Sequence, residues 1–211
     1  MRKAPRLLAI SDRATLPGRL PFRTIPAWIR ELATAGVDAL QIREKDLEDR
    51  DLYGLVRIAR SLLPPGTLLL VNGRVDVALA AGADGAHLPA DGVPLAPLRR
   101  RFGAGVILGR STHSVSEVEE ALRDGADFVA FGPVYATPSK ERFGPPMGLD
   151  ELARAAAVGI PVYALGGVTL ERFEEVAAAG AAGVAGIRLF QDPQTLPEVV
   201  RAAREIFPRE P

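Results

Sequence analysis

The chain has 211 residues, 47% of them apolar, enough for one sizeable core and short for two independent domains, so residues 1–211 read as a single domain. Its 26 basic and 26 acidic side chains cancel, which argues against a nucleic-acid or membrane partner and points to a small molecule. Cysteine is absent, excluding disulfides, thiolate metal sites and a thiol nucleophile, and no apolar run reaches signal-peptide or membrane-span length, so a cytoplasmic protein is expected.

In chain order, eight short apolar runs of strand type occur at 7–11, 39–43, 68–71, 85–87, 106–111, 128–131, 162–165 and 183–187. Amphipathic segments with helical spacing separate them at 25–35, 51–63, 116–124, 149–157, 170–179 and 196–206, with two shorter ones at 76–81 and 95–102. Strands that alternate with helices pair in parallel, and a parallel sheet needs both faces covered. The fold class is therefore α/β, a single (β/α)₈ TIM barrel, with an open doubly wound sheet as the alternative. A recurring tripeptide supports the periodicity: Gly36-Val37-Asp38, Gly82-Ala83-Asp84 and Gly125-Ala126-Asp127 precede the second, fourth and sixth strands, and Gly180-Ala181-Ala182 precedes the eighth. Each glycine suits a helix stop.

In such a barrel, chemistry belongs to the loops after the strands, where the polar residues cluster. The second strand ends in Gln41-Ile42-Arg43-Glu44-Lys45, where alternation points Gln41, Arg43 and Lys45 to one side. The third runs into Asn72, a candidate ligand group or a cap for the next helix. His87 and His113, the only histidines, each stand at a strand end, and Ser111 lies just before His113. Ser114, three residues before Glu117, reads as a helix N-cap. The longest loop, 132–148, carries Thr137, Ser139 and Lys140 and reads as a lid over an anionic group. Gly166 and Gly167 after the seventh strand, with Ile187 and Arg188 after the eighth, mark a phosphate site. No metal-ligand spacing and no nucleophilic triad is readable.

These motifs, QIREK at 41–45, NGRVDVA at 72–78, His87-Leu88, GRSTH at 109–113, Gly132-Pro133 with Thr137 to Lys140, and Gly166-Gly167, resemble in order the thiamine phosphate synthase/TenI superfamily. The resemblance covers nearly the whole chain. Its synthase branch joins a pyrimidine diphosphate to a thiazole phosphate and uses magnesium, held by aspartates at positions that here read Gly73 and Gly92. The Gly-Gln pair of that branch reads Pro89-Ala90, and Asp91 lies one place from the second carboxylate position.

Asn-Gly-Arg-Val-Asp and the Leu-Pro after the fourth strand instead resemble the TenI branch. That implies a thiazole tautomerase, an isomerase that aromatises a carboxythiazole phosphate by proton transfer with no metal and no cofactor. The catalytic His that TenI enzymes carry after the sixth strand reads Pro133 here, which leaves His113, His87 and Lys45 as proton carriers. Gln41, Arg43, Asn72, Ser111, Thr137, Ser139 and Lys140 are then the substrate-binding candidates, and Gly166, Gly167, Ile187 and Arg188 the phosphate-binding ones. The alternatives are the synthase itself and a non-catalytic binder of thiazole phosphate. Assembly as a homo-oligomer stays open.

Overall fold

The computed structural model describes residues 5–15, 25–137 and 145–207. Eight strands, β1 (Leu7–Ile10), β2 (Ala39–Ile42), β3 (Leu68–Asn72), β4 (Gly85–Leu88), β5 (Ile107–Thr112), β6 (Phe128–Phe131), β7 (Val162–Leu165) and β8 (Gly183–Gly186), close into one barrel. Each pairs in parallel with the next, and β8 pairs with β1. The helices are α1 (Ile25–Ala35), α2 (Asp49–Leu62), α3 (Val75–Ala80), α4 (Leu95–Phe102), α5 (Val115–Arg123), α6 (Gly148–Ala156), α7 (Phe173–Ala178) and α8 (Leu196–Ile206). This is the single (β/α)₈ barrel expected from the alternation of strand and helix patterns. Among the described residues, no helix is long and apolar enough to cross a membrane.

Side-chain alternation divides the core in two. Leu8, Ile10, Ala39, Leu70, Phe128, Tyr163 and Ala185 fill the barrel, while Trp28, Ile29, Leu40, Val129 and their neighbours pack between barrel and helices. Phe128 and Tyr163 meet edge to face at 5.5 Å and form an aromatic floor under the barrel mouth. The Phe128 ring occupies the space beside Gly109, where an added Cβ would lie 2.1 Å from Cζ. The glycine of the GRSTH motif is thus the complement of a large interior ring.

The segment 170–179, expected as one helix, divides into a 3₁₀ turn at Leu170–Arg172 and α7. The division follows from Arg172, whose backbone N–H bonds Thr169 O at 3.1 Å while its guanidinium reaches back to Gly167 O at 2.7 Å, tightening the first turn.

The tripeptide repeat has a second role that the pattern did not reveal. Asp38 accepts the Arg6 N–H at 3.1 Å, Asp84 the Leu69 N–H at 2.8 Å and Asp127 the Leu108 N–H at 2.7 Å. Each carboxylate therefore satisfies a backbone donor at the N-terminal rim, next to the strand that precedes its own. Arg60 pairs with Asp84 at 3.2 Å and Arg99 with Asp127 at 2.6 Å, tying α2 and α4 to the same rim. Asp127→Ala leaves both donors unpaired and should lower stability by about 1–3 kcal/mol. The reading is a lower urea midpoint at constant slope, and an unmoved midpoint would remove this role.

Candidate functional site

At the C-terminal mouth, four adjacent strands each send one polar side chain inward, and these four form a chain. Gln41 Nε2 donates to Asn72 Oδ1 at 3.1 Å, His87 Nδ1 lies 2.7 Å from Gln41 Oε1, and Ser111 Oγ lies 3.1 Å from His87 Nε2. His87 is 2% exposed, and its ring meets Phe128 edge-on at 5.5 Å. Burial pushes its pKa down to about 4, and the positive charges of Arg110 and Arg43 act in the same direction. The imidazole is therefore neutral and carries one proton. Nδ1 faces Gln41 Oε1 and Nε2 faces the Ser111 hydroxyl, so each ring nitrogen has a hydrogen-bond partner. His87 thus orients Gln41 and Ser111 from below.

Asn72 is spent on this chain and does not cap α3, whose N-cap position is Arg74. His113 is half-buried, and its Nδ1 donates to Gly132 O at the end of β6. Its backbone N–H donates to Glu117 Oε2 at 2.6 Å, while Ser114 Oγ accepts from Glu117 N at 3.2 Å, so the expected N-cap is present. Because β2 ends at Ile42, strand alternation does not set the residues after it. Gln41 is buried in the barrel and Arg43 half-buried, but Lys45 is exposed and does not join them. Between them, Glu44 turns inward: its Oε2 pairs with Arg13 at 3.3 Å, while Oε1 is buried with no hydrogen-bond partner among the described residues.

On the opposite side of the mouth, β6 and β7 continue to pair past their strand ends through Val134 N to Leu165 O at 2.9 Å and Tyr135 N to Gly166 O at 3.0 Å. This approach demands the glycine pair. A Cβ on Gly166 would lie 2.7 Å from Pro133 Cβ, and one on Gly167 would lie 2.7 Å from both Ala136 O and Tyr135 Cβ. Arg172 braces the turn through Gly167 O, with its guanidinium 4.0 Å over the Tyr135 ring. Neither Arg172 nor Tyr135 stood out in the sequence, because one begins a helix and the other sits in a loop. Ile187 is half-buried, and Arg188 is exposed at the start of the 3₁₀ turn Arg188–Phe190, which Trp28 anchors by donating to Phe190 O at 2.7 Å. Among the described residues, the N–H groups of Gly167, Val168, Arg188 and Leu189 find no backbone acceptor. Thr137 is half-buried at the end of the loop stem, while Ser139 and Lys140 lie outside the described residues.

The family model described as thiamine monophosphate synthase matches residues 7–190. A thiamine-phosphate synthase of Chlorobium luteolum is 36% identical over 209 residues, covering 97% of this chain and 93% of that one. A Geobacter sulfurreducens relative, whose name gives the same activity provisionally, is 44% identical over 205 residues, covering 96% and 94%. Among solved structures, thiamine phosphate pyrophosphorylase from Pyrococcus furiosus superposes with a TM-score of 0.84 at 29% identity, covering 97% and 98%. These relatives carry the name of the transferase, which overturns the expectation of a metal-independent thiazole tautomerase and, with it, the isomerase class. Proton-carrier roles for His113, His87 and Lys45 lose their basis in that reaction. By the match over residues 7–190 and these whole-length relatives, the chain belongs to the thiamine monophosphate synthase family.

Proposed function

We propose that this protein joins a hydroxymethylpyrimidine diphosphate to a thiazole phosphate, releasing diphosphate. The observation that carries this reading is the 36% identity, over nearly the full length of both chains, to a relative named thiamine-phosphate synthase. In the reaction the thiazole nitrogen lone pair forms a C–N bond to the pyrimidine methylene carbon. The C–O bond to the diphosphate breaks, and its electron pair leaves with the diphosphate oxygen. No proton moves between carbon atoms, so a neutral His87 held in hydrogen bonds suits this chemistry better than it suits an isomerisation.

The two sides of the mouth support a division of labour. Gln41, Asn72 and Ser111, supported by His87, present donors and acceptors to the pyrimidine edge, while the open N–H groups after β7 and β8 take the thiazole phosphate. Arg43 stands with the polar chain, and Thr137, Ser139 and Lys140 are assigned to contact the bound pair. The reaction is then mainly a matter of holding the nitrogen in line with the C–O bond.

The test is product formation with both substrates in magnesium-containing buffer, read as thiochrome fluorescence after oxidation. Thiamine phosphate should form only when both are present. Absence of product at saturating substrate would overturn the reading, and thiazole phosphate affinity without product would put a ligand-binding role in its place.

A further inference from the structure

The glycine turn after β7 is held from one side through its carbonyls. Gly166 O accepts Tyr135 N at 3.0 Å, and Gly167 O accepts Arg172 Nη1 at 2.7 Å. The peptides that follow these two carbonyls are trans, and in a planar trans peptide the N–H points away from the C=O. With both oxygens drawn toward Tyr135 and Arg172, the N–H groups of Gly167 and Val168 turn the other way, where neither finds a backbone acceptor among the described residues. Two donors thus set the planes of two peptides and the direction of the N–H groups at their far ends.

The donors differ in strength. Tyr135 N is a neutral backbone group in line with the pairing of β6 and β7. Arg172 brings a guanidinium, and a hydrogen bond from a charged donor is about twice as strong as a neutral one. A carbonyl that accepts such a bond polarises its own peptide, so the N–H of Val168 becomes a stronger donor to an anion. The guanidinium forms no salt bridge among the described residues, which leaves its charge to act on the turn.

Arg172 is itself held in place. Its backbone N–H bonds Thr169 O at 3.1 Å, and its guanidinium lies 4.0 Å over the Tyr135 ring. The Tyr135 hydroxyl donates to Glu175 Oε1 at 2.5 Å, on α7. Burial and this carboxylate push the tyrosine pKa up to about 12, so the hydroxyl keeps its proton and the bond at neutral pH. A Cβ on Gly167 would lie 2.7 Å from Tyr135 Cβ, so the ring's stem sits directly against the turn. Cation, ring and carboxylate therefore form one stack from the loop after β6 to α7.

Building on the proposed reading of this turn as the thiazole phosphate site, we infer that Arg172 is a positioning residue for the phosphate. Through Gly167 O it orients and polarises the Val168 N–H that donates to a phosphate oxygen, and Tyr135 with Glu175 keeps it there. Because Arg172 acts through that one peptide, its effect is confined to the phosphate group of the ligand.

The test is calorimetric titration of the full chain with thiazole phosphate and with the thiazole alcohol that lacks the phosphate. Arg172→Met should weaken binding of thiazole phosphate about 10- to 30-fold and of the alcohol less than about 3-fold. Arg172→Lys, which keeps a cationic donor, should recover part of the loss, and Tyr135→Phe, which keeps the ring and loses the bond to Glu175, should cost about 2- to 5-fold. Thermal melting of each variant separates these losses from misfolding. An equal loss for both ligands in Arg172→Met would overturn the inference, and so would an unchanged affinity for thiazole phosphate. In the second case Gly166→Val shows what falls with it. If that variant weakens thiazole phosphate binding, the phosphate turn stands without Arg172; if it does not, the reading of this turn as the phosphate site fails as well.

Discussion

Gly166→Val is expected to weaken binding of thiazole phosphate about 100-fold while leaving affinity for the pyrimidine substrate within about 3-fold of the parent. Gly166 has φ 94°, a conformation that a β-branched residue avoids, and its Cβ would lie 2.7 Å from Pro133 Cβ and 2.8 Å from Pro133 Cα. Backbone cannot yield as the tip of a side chain can. The turn must move away from the loop after β6, breaking the bonds from Val134 to Leu165 and from Tyr135 to Gly166. The N–H groups that follow, those of Gly167 and Val168, move with it. A displacement on the order of 1 Å is enough to spoil a multidentate phosphate contact. The polar chain of Gln41, Asn72, His87 and Ser111, proposed to meet the pyrimidine substrate, stands on β2, β3, β4 and β5 across the barrel, and so serves as an internal control. An unchanged dissociation constant for thiazole phosphate would remove the phosphate site from this turn.

A comparably large effect is expected for His87→Gln, on stability and its pH dependence. At neutral pH the variant loses a buried imidazole bonded at both nitrogens and packed on Phe128, a change expected to cost about 2–4 kcal/mol. In the parent protein the folded state resists protonation down to about pH 4, while the unfolded chain takes up the proton near the ordinary value of 6.5. Between those values the unfolded state binds more protons, so stability rises with pH. It is fully present above about 6.5 and is lost as pH falls toward 4, by about 3 kcal/mol in all.

Glutamine does not titrate. The stability gap between parent and variant should therefore narrow as pH falls from 7 to 4, a trend read by urea unfolding at several pH values. A gap constant with pH would show that the imidazole is not held neutral by the fold.

Much of the fold was legible in the chain itself. Runs such as 128–131 and 162–165 coincide with β6 and β7, because buried parallel strands read as continuous apolar segments and the helices between them are amphipathic. Ser114 and Glu117 announced the start of α5 for the same local reason. The candidate site was legible as a set of loops but not as a constellation. Gln41, Asn72, His87 and Ser111 stand on four strands, and only the barrel register brings their side chains into one hydrogen-bonded chain. Two missing carboxylates, taken alone, pointed away from the transferase. Likeness along the whole chain outweighed them, and the structure places Pro89 tightly only against the second of the two positions, Gly92.

The sequence by itself determined the barrel, the end of it that carries the polar loops, and the glycines on which its turns depend, because periodicity, caps and backbone freedom are properties of neighbours along the chain. What each polar group does was decided only by tertiary structure. Asp127 serves the N–H of a preceding strand, Asn72 serves Gln41 in place of a helix cap, and His87 is a neutral support for Ser111. Burial and hydrogen-bond partners depend on residues distant in sequence, and these set protonation and orientation.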